Sequence, residues 1–172
     1  MWGRGFFVLF VVPSVWGGTY CWGGRVGAAA LPATASALVM RGATLELTGA
    51  AAANLSSLTF EPDAGQRMIS RSNPGATINL AGDVVYGGGG SSSMAVIDVP
   101  VSLAAGARQV RFATSNTNSA ATYAVVFGEP ISGAGQLMVR MESQRVALTA
   151  ANSYAGGTQI SSGELVAAAT NA

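Results

Sequence analysis

The chain has 172 residues, 49% hydrophobic and 10% charged; its nine basic residues, all arginine, face eight acidic ones, for a net charge of +1. That balance excludes the basic stripe of a nucleic-acid binder and the polybasic patch of a protein held on anionic lipid. Histidine is absent, which removes imidazole bases, Ser-His triads and most zinc or copper sites, and the single cysteine, Cys21, has no partner for an internal disulfide.

Twenty-three glycines, with runs of Ala, Ser and Thr, favour short strands joined by tight turns over helices. In chain order, residues 1–37 read as a signal-peptide-like leader. Arg4 supplies a positive charge, residues 6–12 a short apolar run, and the small residues around Ala30 and Ala37 offer Ala-x-Ala cleavage choices. Pro13 breaks the run and Arg25 falls before the cleavage region. The run is also shorter than the ~20 apolar residues that span a bilayer. Cys21 follows Tyr20, a bulky aromatic where a lipoprotein signal carries a small residue, and reads as an incidental thiol.

From residue 38 onward, short strands with period-two alternation recur. Residues 43–49 put Leu45 and Leu47 on one face, residues 56–62 put Leu58 and Phe60 together before Pro62, and residues 76–82 pair Ile78 with Leu80. Residues 96–106 align Ile97, Val99, Val101 and Leu103, with Asp98 and Pro100 facing out. Val110 then joins Phe112, Val125 joins Phe127, Leu137 aligns with Val139 and Met141, and Val146 joins Leu148. Such spacing fits an antiparallel β-sandwich or a parallel β-helix. The likeness between GATLELTGA (42–50) and RVALTAANSY (145–154) favours the second, because a coil that cannot bury its apolar face alone stacks on copies of itself. The expected fold is therefore all-β, a parallel β-helix over residues 38–172.

Residues 131–172 read ISGAGQLMVRMESQRVALTAANSYAGGTQISSGELVAAATNA. This segment resembles the autotransporter-associated β-strand repeat, also called the passenger-associated transport repeat. The residues that carry the resemblance are Gly133, Gly135, Leu137, Leu148, Asn152, Tyr154, Gly156, Gly157, Thr158, Ile160, Gly163 and Leu165. Two features depart from the pattern: the lysine after the leucine is missing, and Glu142-Ser143-Gln144 replaces the central Gly-x-Gly, so a looser corner is expected there. A weaker resemblance extends over residues 44–172.

The resemblance implies a right-handed β-helix and a non-enzymatic passenger or structural segment exported to a bacterial outer membrane or cell surface. Its implied partner is an outer-membrane translocating barrel encoded beyond this chain. A surface adhesin that takes a glycan or protein ligand is the alternative function, and a glycan-active β-helix enzyme a third. No cofactor, metal or nucleic acid is implied. The last coil lacks a polar cap and no amphipathic strands of a barrel follow it, so further coils or a partner are expected over it.

Each residue type has a physical role. Gly156, Gly157 and Gly163 suit sharp corners. Asn152 suits a left-handed conformation and bonding to its own turn, while Tyr154, Ile160 and Leu165 read as inward side chains, the tyrosine hydroxyl needing a partner. Sugar binding by Asn152 and Tyr154 is the competing reading, and their spacing follows the repeat instead.

Elsewhere, GGGGSSS (87–93) lacks the Gly-Lys-Ser/Thr ending of a phosphate loop and reads as a flexible turn. Glu61 and Asp63 stand without the clustered acids of a glycan-cleaving site and read as a solvated turn. Arg67 with Arg71, and Arg108 with Arg111, read as solvated outer-face charges. Asn54-Leu55-Ser56 matches a glycosylation acceptor.

Overall fold

The structure, a computed structural model, describes residues 19–22, 26–29, 36–41, 44–62, 66–88, 93–113 and 123–168. Among them are fifteen strands and no helix, and every strand pairing is parallel. The chain winds as successive coils. Coil 1 holds β1 (Thr19–Trp22) and β2 (Val26–Ala29); coil 2 holds β3 (Ser36–Met40) and β4 (Thr44–Leu47); coil 3 holds β5 (Ala53–Phe60) and β6 (Gln66–Arg71). Coil 4 holds β7 (Ile78–Leu80), β8 (Val84–Tyr86) and β9 (Met94–Ile97), and coil 5 holds β10 (Val101–Leu103), β11 (Ala107–Phe112) and β12 (Val125–Phe127). Coil 6 follows with β13 (Ile131–Gly133) and β14 (Gln136–Leu148), and coil 7 with β15 (Thr158–Ala167).

Three ladders run along the stack. The first joins β1, β3, β5, β8, β11, β14 and β15. The second joins β2, β4, β6, β9, β12, β14 and β15, and the third joins β5, β7, β10 and β13. Because β5, β14 and β15 each turn a corner and serve two faces, all fifteen strands belong to one sheet. The fold is a parallel β-solenoid, and the uniformly parallel pairing excludes the antiparallel sandwich.

Period-two alternation decides which side chains face the lumen. Leu38, Leu58, Val84, Val110 and Val139 stand in register on the first face, and Leu45, Ile69, Ile97, Phe127 and Leu148 on the second. On the third, Ala53, Ile78, Val101 and Ile131 align. All of these are buried, and all but Ala53 belong to one continuous core cluster. From Leu58 to Val84 and from Val84 to Val110 the chain returns to the same column after 26 residues. Neighbouring coils therefore exchange apolar contacts along their whole length, as a solenoid requires.

The strands expected from the sequence all form, with two differences of detail. Residues 96–106 divide into β9 and β10, with a corner at 98–100 that exposes Asp98, since the chain must change face there. Residues 136–148 join two expected strands into β14. Strands β3, β6, β8 and β13 are not among those expected, and β6 fills the second face of coil 3. Within the stretch read as a leader, β1 pairs with β3 and β2 with β4, so coil 1 stacks in register on coil 2. Arg4, the 6–12 run, Arg25 and Ala30 lie outside the described residues. Among the described residues, no helix is long and apolar enough to cross a membrane.

Ion pairs on the outside link coils: Arg41 to Glu61 at 2.8 Å, Arg145 to Glu164 at 2.7 Å, Arg71 to Glu129 at 3.1 Å and Arg111 to Asp83 at 3.5 Å. Partly or fully exposed to solvent, each contributes little to stability. The Asp83 carboxylate also accepts the Gln109 amide at 3.0 Å, tying coil 4 to coil 5.

Candidate functional site

The repeat-like segment folds as coils 6 and 7, and its residues meet the preceding coil at every corner. Gly133 closes β13, and Gly135 lies so close to coil 5 that a side chain there would run into the Ala104 carbonyl. One coil on, the Gly156 amide donates to the Gly135 carbonyl at 3.1 Å, and the Leu137 amide donates to the Gly157 carbonyl at 3.0 Å. A Cβ on Gly156 would stand 2.5 Å from the Gln136 nitrogen, closer than any real side-chain atom approaches. Glycine is required there by the contact between backbones.

Asn152 replaces a backbone acceptor with its side chain. In earlier coils, the amides that open the third-face strands bond to the next coil's carbonyls, Ala53 to Thr77, Ile78 to Pro100 and Val101 to Pro130. In coil 6 the Ile131 amide instead donates to Asn152 Oδ1 at 2.8 Å, while Asn152 Nδ2 donates to the Ala150 carbonyl at 2.7 Å. The expected bond to its own turn is present. The expected left-handed backbone is not, since Glu142 is the one non-glycine described residue with positive φ. With both side-chain bonds satisfied, Asn152 holds its corner without a reversed backbone.

The Tyr154 ring packs against the core, and its hydroxyl hydrogen-bonds to Thr158 Oγ1 four residues on. Leu137 and Leu148 are fully buried, and Leu165, in register with Val146, is half-buried against the core. Ile160, read as an inward side chain, stands in register with buried Val139 and is 52% exposed. Coil 6 packs one side of it and the other side is open.

The corner between the two halves of β14 departs from the repeat pattern and shows how. Glu142 adopts φ 55°, doing with a carboxylate residue what glycine does elsewhere. Opposite it in coil 7, Gly163 has φ 84°, and a Cβ there would meet the Gln144 carbonyl at 2.7 Å. Pairing between β14 and β15 shifts between Arg140 and Arg145, so the extra residues of coil 6 bulge over a shorter corner in coil 7. Ser162 Oγ accepts the Glu142 amide at 3.1 Å and closes the gap.

A second polar cluster escaped the sequence reading. Arg67, read as a solvated outer-face charge, is fully buried inside coil 3, in register with Ala95. Its guanidinium donates to Ser93 Oγ at 2.6 Å and to the Gly88 carbonyl at 3.3 Å, and lies 5.2 Å from the centre of the Tyr86 ring. The Tyr86 hydroxyl donates to the Ser93 carbonyl at 2.8 Å. The glycine-rich 87–93 stretch thus has interior ends, Gly87, Gly88 and Ser93 being buried, while 89–92 lie outside the described residues. Alternation with Ile69 in QRMISR was the available signal that Arg67 points inward.

Glu61 pairs with Arg41, and Asp63 lies outside the described residues. Asn54 is turned to the neighbouring coil, its Oδ1 accepting from Asn79 Nδ2 at 2.9 Å. Among the described residues, no three His, Cys, Asp or Glu side chains converge as metal ligands would. No protein-family model, curated protein or solved structure matches the chain.

Proposed function

We propose that this chain is a non-enzymatic, passenger-type segment of an exported bacterial surface protein, in which docking of coil upon coil supports folding outside the cell. The supporting observation is the fit of coil 7 on coil 6. Gly156, Asn152 and Gly163, residues that carry the repeat resemblance, each contact coil 6 where a larger or differently bonded residue would break the stack. The mechanism needs no nucleotide or cofactor. Each coil that docks removes apolar surface from water at ~25 cal/mol per Å² and resists being pulled back through a translocating pore. An outer-membrane barrel encoded beyond this chain is the implied partner.

The test is exposure at the cell surface. Intact cells expressing the native gene are treated with external protease, and released peptides are identified by mass. Peptides from residues 38–172 are expected from intact cells; their release only after the outer membrane is broken would contradict the proposal.

A further inference from the structure

We infer that Arg67, Tyr86 and Ser93 form an interior latch that makes coils 3 and 4 open and close as one unit. This inference rests on the solenoid's packing and is independent of export. Arg67 occupies the inward column that continues as Ala95, Val125 and Val146, all buried. Its neighbour in register is Ala95, the smallest side chain of that set. A guanidinium in such a column needs acceptors within the lumen, because a buried cation that loses a hydrogen-bond partner is strongly destabilising.

Acceptors come from coil 4, 21 and 26 residues further along the chain: the Gly88 carbonyl and Ser93 Oγ. Ser93 is held in turn by the Tyr86 hydroxyl through its carbonyl, and its own hydroxyl donates to Gly88 at 3.2 Å. Phe112 of coil 5 closes the cluster, its ring edge-on to Tyr86 with centroids 5.4 Å apart. Gly88 and Ser93, the described ends of the corner between β8 and β9, are thereby held in the lumen by the charge on β6. Displacing that corner strips partners from Arg67, and displacing β6 strips the corner of its anchor, so the two movements are coupled.

The test is native-state hydrogen exchange on the full chain for the wild type, Ser93→Ala, Arg67→Met and the double variant. Ser93→Ala should speed exchange of amides in both β6 and β9 by roughly tenfold or more, the scale of a lost hydrogen bond to a buried charge. In the Arg67→Met background, where no charge awaits a partner, the same change should alter exchange by less than about threefold. Tyr86→Phe, which keeps the ring and removes only the hydroxyl, should repeat the pattern at smaller amplitude. Equal effects of Ser93→Ala in both backgrounds, or a response confined to β9, would overturn the inference. So would an Arg67→Met chain that does not fold, since an apolar side chain of similar length removes the need for the latch.

Discussion

Gly156 and Gly135 occupy equivalent corners of adjacent coils, and the amide of the first bonds to the carbonyl of the second at 3.1 Å. No side chain separates the two backbones, and coil 7 seats on coil 6 at that point.

Gly156→Ala is accordingly expected to cost about 1–3 kcal/mol, because the backbone atoms it would strike cannot swing aside. Gly157→Ala meets nothing within 4 Å and carries only the strain of φ 71°, so its cost should be the smaller, about 1 kcal/mol. Urea unfolding midpoints of the two variants check the order; a costlier Gly157→Ala would contradict the described packing.

Glu142→Gly should raise stability by about 1 kcal/mol, since it relieves the left-handed strain of a residue at φ 55°. The same unfolding experiment decides this. An unchanged or lowered midpoint would show that the Glu142 side chain contributes more than its backbone loses.

Val139 and Ile160 are in register but differ in cover, Val139 being fully buried and Ile160 half open. Val139→Ala should therefore cost about 2 kcal/mol and Ile160→Ala less than about 1 kcal/mol, although isoleucine loses the larger group. Equal or reversed costs in thermal unfolding would mean that Ile160 is covered in the native protein.

Asn152→Ala should destabilise coil 6 by about 1–2 kcal/mol by leaving the Ile131 amide without its acceptor. Exchange of the Ile131 amide proton should rise more than that of Val101, whose acceptor is the Pro130 carbonyl. Matched increases at both amides would point to general loosening instead of a local bond.

Much of this architecture was legible in the sequence because a solenoid repeats one physical requirement, an apolar face every second residue. Leu45 with Leu47, Leu58 with Phe60 and Ile78 with Leu80 declared their faces through alternation alone, and all are buried. The choice of parallel stacking came from likeness between segments, which alternation does not carry. β6 was hidden because its lumen side holds one apolar residue, Ile69, beside a charge whose partners lie 21 and 26 residues away. Burial of Arg67 depends on that long-range geometry, which no local window contains. Alternation marks Ile160 as inward, in register with Val139, and carries no information on cover from a neighbouring coil.

Whether stacking of coils supports export is decided by secretion of a core-disrupted variant. Val139→Asp combined with Val146→Asp places two carboxylates at fully buried positions on the two faces of β14, while Gln159→Asp changes an exposed residue of β15 and serves as the control. With the chain expressed from its native gene, the amount reaching the cell exterior is compared with the amount retained inside the outer membrane. The control is expected to be exported like the wild type and the double variant to be largely retained. Export of the double variant at the wild-type level would contradict that role for stacking.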